Sequence, residues 1–287
     1  MNFKLKGHFL AIITILIWSS TFIVSKVLLQ QMSPLQILFF RFLMAVIFLS
    51  ILSPKFKKPV SIREELFFLA AGGTLALYFF FENSALKHTY SSNVSLIVST
   101  IPLITGGLSS FFYKTHFFNR KRLIGFIAAY VGVFLIIING KGLEGIEPLG
   151  DIFAFIASLM FAVYSLLMPK IQNGYNLIEL TRKVFFYGLI TLSTIIFILQ
   201  ENIRIEAMDS KLVMSMLFLG IVASSLAFLM WNKAIQSIGS IKTNQYIYLV
   251  PIVTTILSAI IIKEKITIFI IIGTALILFG LYNSEKK

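Results

Sequence analysis

The chain alternates between long apolar runs and short polar links. An α-helix needs about 20 apolar residues to cross the ~30 Å hydrocarbon core of a bilayer. A closed barrel would need alternating segments of about 10 residues, which the sequence lacks. Because a backbone in lipid must pair its own amides, the pattern predicts an all-α integral membrane protein with ten transmembrane helices. The predicted spans are 8–29, 35–52, 66–86, 92–113, 121–139, 149–168, 178–199, 212–234, 241–262 and 266–283.

Composition supports this class. Of the 287 residues, 57% are hydrophobic and only 13% are charged, whereas a soluble domain carries roughly a quarter charged residues. The chain has no cysteine, which excludes disulfides, thiolate metal sites and a cysteine nucleophile. Its three histidines, His8, His88 and His116, do not have the spacing of zinc ligands. We therefore expect no metal and no cofactor.

The net charge of +13 is best explained by topology. With both termini in the cytoplasm, 17 lysines and arginines face inward and 8 face outward, which accounts for all 25. This asymmetry follows the positive-inside rule and predicts a multi-pass protein of the cell membrane with cytoplasmic termini. The expected partners are the lipid bilayer and a small-molecule substrate, with no nucleic acid, and both a monomer and a homodimer remain open.

The chain contains an internal repeat. Gly7 and Ala11 recur as Gly150 and Ala154, 143 positions later; Asn83, Ser91, Pro102 and Thr105 recur as Asn232, Ser240, Pro251 and Thr254, 149 later; Gly125 and Gly132 recur as Gly273 and Gly280, 148 later. The sequence thus predicts two five-helix repeats, 1–142 and 143–287. Because five is odd, the second repeat enters the membrane from the opposite side. Such inverted repeats are typical of secondary transporters, whose substrate site lies near the midplane.

Two prolines lie deep within predicted spans, Pro102 and Pro251, and they are repeat equivalents. A proline inside a helix removes one backbone hydrogen bond and bends the helix. The bend can be a packing kink, since neighbouring helices satisfy the freed groups. Its duplication favours the alternative, a symmetric pair of bent helices beside the transport pathway.

Polar side chains recur at helical spacing within several spans. Such residues face the protein interior or water rather than lipid. For serines and threonines, helix packing is an equally good interpretation, and Trp231 suits an interfacial belt. The candidate substrate-binding residues are Trp18, Thr21, Tyr78, Glu82, Asn83, Ser95, Ser99, Tyr164, Trp231, Asn244 and Tyr248.

Glu82 and Arg41 are ionisable residues within predicted spans, at similar depths from the outer surface. A charge at that depth costs a few kcal/mol unless it is paired or hydrated. The two residues could form a static charge pair, or Arg41 could extend to the surface alone. Alternatively, Glu82 binds a substrate ammonium or carries a proton. The sequence leaves these interpretations open.

Several short motifs carry a family resemblance. They are Trp18-Ser19-Ser20, Arg41-Phe42, Asn83-Ser84-Ala85-Leu86-Lys87, Pro102, Trp231-Asn232-Lys233-Ala234, Pro251 and Glu264. Over its whole length the chain resembles the EamA family of the drug/metabolite transporter superfamily. The resemblance implies a ten-helix inverted-repeat carrier with a central cavity formed by the first, third, fourth, sixth, eighth and ninth spans. Family members mostly export amino acids, related metabolites or toxic small molecules. Two departures are Ser19, where glycine is frequent, and Glu264, which has no acidic counterpart in the first repeat.

The predicted function is therefore a secondary transporter that exports small metabolites, such as amino acids or related amphipathic compounds, across the cytoplasmic membrane by alternating access. Efflux of drugs or toxic compounds is the alternative. An intramembrane enzyme would need a nucleophile or metal motif, and no such motif is present. A channel would need a selectivity filter or a ring of charge, and one buried glutamate does not supply it.

Overall fold

The computed structural model describes residues 3–88, 91–113, 120–138, 148–172, 174–203, 209–261 and 267–285. Ten helical spans are present in these ranges, and none of the described residues forms a strand. Seven spans are named here by single ranges: α1 Phe3–Leu28, α2 Pro34–Leu52, α3 Ile62–His88, α5 Arg120–Ile138, α6 Pro148–Ile171, α7 Leu177–Ile198 and α10 Ile268–Glu285. Three are built of segments: α4 is Ser91–Val98 and Ile101–Tyr113; α8 is Ser210–Leu217, Phe218–Leu226 and Ala227–Ile238; α9 is Ser240–Gln245, Tyr246–Leu249 and Val250–Ile261. The predicted all-α, ten-helix fold is confirmed.

Length and apolar composition suit these helices to a membrane. Within the described residues, α1, α2, α3, α6, α7 and α8 are long and apolar enough to cross one, and α4, α5 and α10 contain shorter apolar helices. Large apolar side chains such as Phe111 and Phe197 are exposed on the outer faces of the bundle. A lipid solvent accounts for this exposure, since these side chains lose nothing by facing acyl chains.

The helices α4 and α9 are irregular just before their prolines. In α4 the helix stops at Val98 and resumes at Ile101, and in α9 a 3₁₀ turn over Tyr246–Leu249 precedes Val250. Pro102 and Pro251 are each the second residue of the following segment, where a proline is tolerated because no N–H is needed there. The repeat-related prolines thus coincide with repeat-related breaks.

The starts of α2 and α7 show the repeat in local structure. Ser33 caps α2 in a capping box with Gln36, and Asn176 caps α7 in the same way with Glu179. Each cap satisfies two backbone N–H groups that the helix leaves unpaired. The two boxes are 143 positions apart, which aligns α2 with α7 residue by residue.

The repeats meet about a pseudo-twofold axis. On α5 a Cβ at Gly132 would lie 2.5 Å from the Gly273 carbonyl oxygen of α10, and a Cβ at Gly280 would collide with the carbonyl of Gly125. The offset of 148 positions converts the Gly125–Gly280 contact into Gly273–Gly132, so the two contacts are exchanged by the repeat symmetry, as a twofold relation requires. The predicted boundary between residues 142 and 143 lies outside the described residues and stays a prediction.

Candidate functional site

A central cavity lies where the repeats meet. Its volume is about 30 Å³, so it forms a narrow cleft between aromatic rings. Helices α1, α2, α3, α4, α6, α8 and α9 contribute to its wall. The lining residues are Trp18, Thr21, Phe22, Arg41, Tyr78, Phe79, Glu82, Val98, Ile101, Phe161, Phe228, Ile247 and Val250.

Part of the wall is symmetric. Four pairs of lining residues are repeat equivalents, 143 or 149 positions apart: Trp18 and Phe161, Phe79 and Phe228, Val98 and Ile247, Ile101 and Val250. Ring contacts obey the same symmetry, because Phe42 packs on Phe79 as Phe185 packs on Phe228, and Phe42 and Phe185 contact each other with centroids 4.8 Å apart. The cavity therefore lies on the pseudo-twofold axis.

The rest of the wall has diverged. The first repeat contributes polar residues whose equivalents in the second repeat are apolar or aromatic and are absent from the wall: Thr21 against Tyr164, Arg41 against Val184, Tyr78 against Ala227, Glu82 against Trp231. The first repeat thus supplies every ionisable group of the wall, and the second supplies an apolar face.

Arg41 and Glu82 are held by separate partners. Arg41 donates from Nε to Ser224 Oγ at 2.5 Å, and its guanidinium lies 4.0 Å from the centroid of the Phe79 ring. Glu82 accepts a hydrogen bond of 2.5 Å from the Tyr78 hydroxyl, one helical turn away. Among the described residues no ion pair joins Arg41 to Glu82 directly, although both border the same cavity and both are less than a tenth exposed. Their other polar atoms have no hydrogen bond to a described residue.

A π-helical segment of α8 positions this wall. Over Phe218–Leu226 the helix widens to i→i+5 pairing, a feature often found at functional sites. Within it, Ser224 accepts from Arg41, and the carbonyl of Ala223 accepts the Trp18 indole N–H at 3.1 Å. The segment thereby fixes the guanidinium and one aromatic wall of the cavity at once.

The predicted site residues fall into two groups. Trp18, Thr21, Tyr78 and Glu82 line the cavity. The others are buried behind its wall: Asn83, Ser95, Ser99, Tyr164, Trp231, Asn244 and Tyr248. Trp231 is fully buried with its ring 4.8 Å from Trp18, so it does not belong to an interfacial belt.

Buried hydrogen bonds explain two members of the second group, Tyr164 and Asn244. Tyr164 donates to Asn232 Oδ1 at 2.8 Å, and Asn232 donates in turn to Thr181. Asn244 accepts from Ser165 at 3.2 Å and donates to Thr105 at 2.8 Å. These chains join α4, α6, α7, α8 and α9, because a buried amide must find partners inside the protein.

Sequence reasoning missed the apolar wall and the Ser224 contact. Phe79, Phe228, Ile247 and Val250 are unremarkable in a chain with 29 phenylalanines. One signal was available for the two phenylalanines. Phe79 lies three residues before Glu82 and so shares its helix face, and Phe228 lies 149 positions after Phe79, which is the offset between the repeats. Ser224 offered no such signal, because its role depends on a helix contact 183 residues away from Arg41 in sequence.

At the predicted cytoplasmic end, residues 53–61 join the repeats in a contact set that we call the loop latch. Arg182 of α7 donates to the carbonyls of Ser53 and Lys55 and stacks on Phe56. Lys57 donates to the Gly174 carbonyl at 2.5 Å.

A second set of contacts lies beside the loop latch. Lys183 forms a 2.5 Å ion pair with Glu65 of α3, while Tyr187 donates to the other oxygen of that carboxylate. Tyr175, in the α6–α7 link, accepts from Lys183 at 2.9 Å. Burial, together with the neighbouring Glu64 carboxylate, raises the pKa of the Tyr175 phenol, so it stays protonated. The contacts of Lys183 and Tyr187 with Glu65 cross between the repeats.

Fold and cavity together define a ten-helix, two-repeat membrane transporter fold. Comparison with known proteins gives the family. The sequence profile of the EamA-like transporter family matches twice, over residues 5–138 and 148–284. The chain belongs to the EamA-like transporter family.

Individual relatives agree with the family. The chain is 29% identical over 290 residues to an Archaeoglobus fulgidus protein named an uncharacterized transporter, with 98% of each chain covered. It is 25% identical over 286 residues to a Salmonella typhimurium protein named a probable amino-acid metabolite efflux pump, covering 96% of this chain and 94% of that one. A solved crystal structure, 19% identical, superposes with a TM-score of 0.74 and covers 99% of this chain and 96% of its own, which shows the shared fold. The chain is accordingly a multi-span membrane transporter, and its relatives bear the names of transporters.

Proposed function

We propose that this transporter is a secondary carrier that exports small zwitterionic, amphipathic metabolites, such as amino acids, across the cytoplasmic membrane by alternating access. The observation that carries the proposal is the wall of the central cavity. It combines one guanidinium, one carboxylic acid and an aromatic box in a single buried space. The name of the Salmonella typhimurium relative points the same way.

The chemistry of the wall suits a zwitterion. A guanidinium is the preferred partner of a carboxylate, because its planar fork can bind both oxygens. The free oxygen of Glu82 suits an ammonium group. Two buried charges held apart from one another leave each without full compensation, which is costly in a membrane. A zwitterionic substrate supplies both counter-charges, while Trp18, Phe161 and Phe228 accept its apolar part.

The loop latch supports alternating access. It ties the first repeat to the second at the end where both termini are proposed to face the cytoplasm. Its contacts are hydrogen bonds to backbone carbonyls and a cation–π contact, each of which contributes only about 1 kcal/mol. Rocking one repeat against the other can break them together, with α4 and α9 bending near Pro102 and Pro251.

Counterflow in proteoliposomes tests the proposal. Purified full-length protein is reconstituted with unlabelled leucine inside, and uptake of labelled leucine and phenylalanine is measured over a range of concentrations. We expect saturable counterflow that Arg41→Gln and Glu82→Gln each reduce at least tenfold. Arg63→Gln, an exposed arginine at the start of α3, is the matched control and should behave as the wild type.

The double variant Arg41→Gln/Glu82→Gln distinguishes a role of these two residues in transport from a purely structural role. If Arg41 and Glu82 acted only as a static pair, removing both would restore folded yield and transport, because an unpaired buried charge costs more than a missing pair. Since each has its own partner, we expect no recovery of transport. Flux that rises linearly without saturation would indicate a channel. Counterflow of a labelled lipophilic cation with no response to amino acids would favour drug efflux.

A further inference from the structure

The two repeats treat one buried asparagine differently. In the second repeat Tyr164 donates to Asn232 Oδ1 at 2.8 Å, and neither side chain is exposed. Tyr164 lies 143 positions after Thr21, and Asn232 lies 149 positions after Asn83, the offsets that relate α1 to α6 and α3 to α8. The first repeat therefore has a threonine where the second has the phenol that satisfies its asparagine.

As a result, Asn83 keeps an unsatisfied acceptor. Its Nδ2 donates to the Phe79 carbonyl at 2.9 Å, which fixes the orientation of the amide because a carbonyl can only accept. Its Oδ1 is buried and has no hydrogen-bond partner among the residues that the structure describes. Thr21 does not supply one, since its hydroxyl donates to the Trp18 carbonyl of its own helix at 2.7 Å. A buried acceptor without a donor is rare in folded proteins and calls for an explanation.

The same exchange removes an aromatic ring from the first repeat. Thr21 lines the central cavity, whereas Tyr164 does not and is fully buried. Threonine has neither the aromatic ring nor the phenolic hydroxyl of tyrosine, so the first repeat lacks the group that Tyr164 provides in the second. The missing group at this position is a flat ring that ends in a hydrogen-bond donor.

We propose that Thr21 is a specificity-determining residue of the carrier. By standing where the second repeat has Tyr164, it leaves the buried Asn83 Oδ1, which does not itself line the cavity, as the acceptor of a subsite that takes the hydrogen-bond donor at the far end of a substrate side chain. Side chains that end in a hydroxyl or amide N–H fit this description, and purely apolar side chains leave the acceptor unsatisfied. The inference rests on the proposed function for its substrate but on the repeat comparison for its geometry.

A thermal-unfolding cycle on the purified full chain tests the geometry without any substrate. Thr21→Tyr and Thr21→Phe are each made with Asn83 present and with Asn83→Leu. Both rings fill the space, but only tyrosine can donate to Asn83. We expect Thr21→Tyr to unfold several degrees higher than Thr21→Phe, and this gap to vanish in the Asn83→Leu background. Equal midpoints with Asn83 present would overturn the proposal.

Counterflow with labelled tyrosine and phenylalanine tests the specificity. The two probes differ only by the phenolic hydroxyl, and we expect the wild type to prefer tyrosine at least fivefold. Asn83→Leu should remove the preference, and Thr21→Tyr should block both probes. Leu16→Tyr, which adds the same ring at an exposed position of α1, is the matched control and should leave transport intact.

The proposed amino-acid function and the proposed subsite at Thr21 can be refuted separately. If the wild type carries neither probe, the proposed amino-acid function is wrong, and the unfolding cycle alone then decides for or against the subsite. If the wild type carries both probes equally, the carrier function stands and the specificity role of Thr21 is refuted.

Discussion

The contact between α5 and α10 gives a sharp test of the packing between the repeats. A Cβ at Gly132 would lie 2.5 Å from the Gly273 carbonyl oxygen, 2.9 Å from the Ile277 nitrogen and 2.9 Å from Leu276 Cβ. Ordinary contact between such atoms needs about 3.5 Å, so Gly132→Ala must separate the two helices by roughly 1 Å. Two of the three obstructing atoms belong to backbone, which cannot swing aside as a side chain can.

The magnitude follows from two opposed effects. Overpacking a tight contact costs about 1–3 kcal/mol, and the cost should lie at the upper end because the reciprocal Gly125–Gly280 contact opens at the same time. Alanine returns up to about 1 kcal/mol through its higher helix propensity. Because apolar helices gain little hydrophobic free energy from association in lipid, lost close packing is not compensated. We expect a net loss of about 2 kcal/mol in the free energy of unfolding.

The assay compares two glycines that differ only in their surroundings. Gly73 of α3 is also helical, but the nearest atom to its would-be Cβ is Thr191 Oγ1 at 3.5 Å, an ordinary contact. Thermal unfolding in detergent should show Gly132→Ala melting well below the wild type and Gly73→Ala melting at or above it. Equal melting of the two variants would refute the argument from backbone contact.

Three further predictions concern other parts of the molecule. Tyr164→Phe should lower the free energy of unfolding by about 1–3 kcal/mol, because it leaves the buried Asn232 Oδ1 without its donor; thermal unfolding measures this. Lys183→Met should raise the rate at which a thiol reagent added on the cytoplasmic side labels a cysteine introduced into the cavity wall, because the substitution removes the ion pair to Glu65 beside the loop latch. Lys58→Cys should be labelled only after the membrane is permeabilised, because its loop is predicted to be cytoplasmic.

Two of these predictions have a matched control. Ser20→Ala removes a hydroxyl of α1 that bonds only to its own helix, at Ile17, and should change stability far less than Tyr164→Phe. Glu201→Cys, in the link after α7, should be labelled in intact cells. The absence of native cysteine leaves no background in either labelling experiment. Labelling of Lys58→Cys from outside intact cells would show that the predicted orientation in the membrane is wrong.

The sequence by itself determined the fold. Ten apolar runs and a duplicated set of glycines and prolines suffice, because lipid forces each run into a helix and an odd number of spans forces inversion. It also indicated that Trp18, Tyr78 and Glu82 face the interior, since polar groups at helical spacing avoid lipid. These inferences depend on properties local to one helix or on offsets that can be counted along the chain.

Only the tertiary structure decided which interior residues form the cavity wall. Tyr164 and Asn244 satisfy the same sequence criterion as Trp18, yet they hydrogen-bond to other helices behind the wall. Arg41 and Glu82 share the cavity without pairing, because a π-helical segment turns Ser224 toward the guanidinium. The register between helices far apart in sequence is set by packing and by the local pitch of each helix. A one-residue difference rotates a side chain by about 100°, and no periodicity within a single span fixes that rotation.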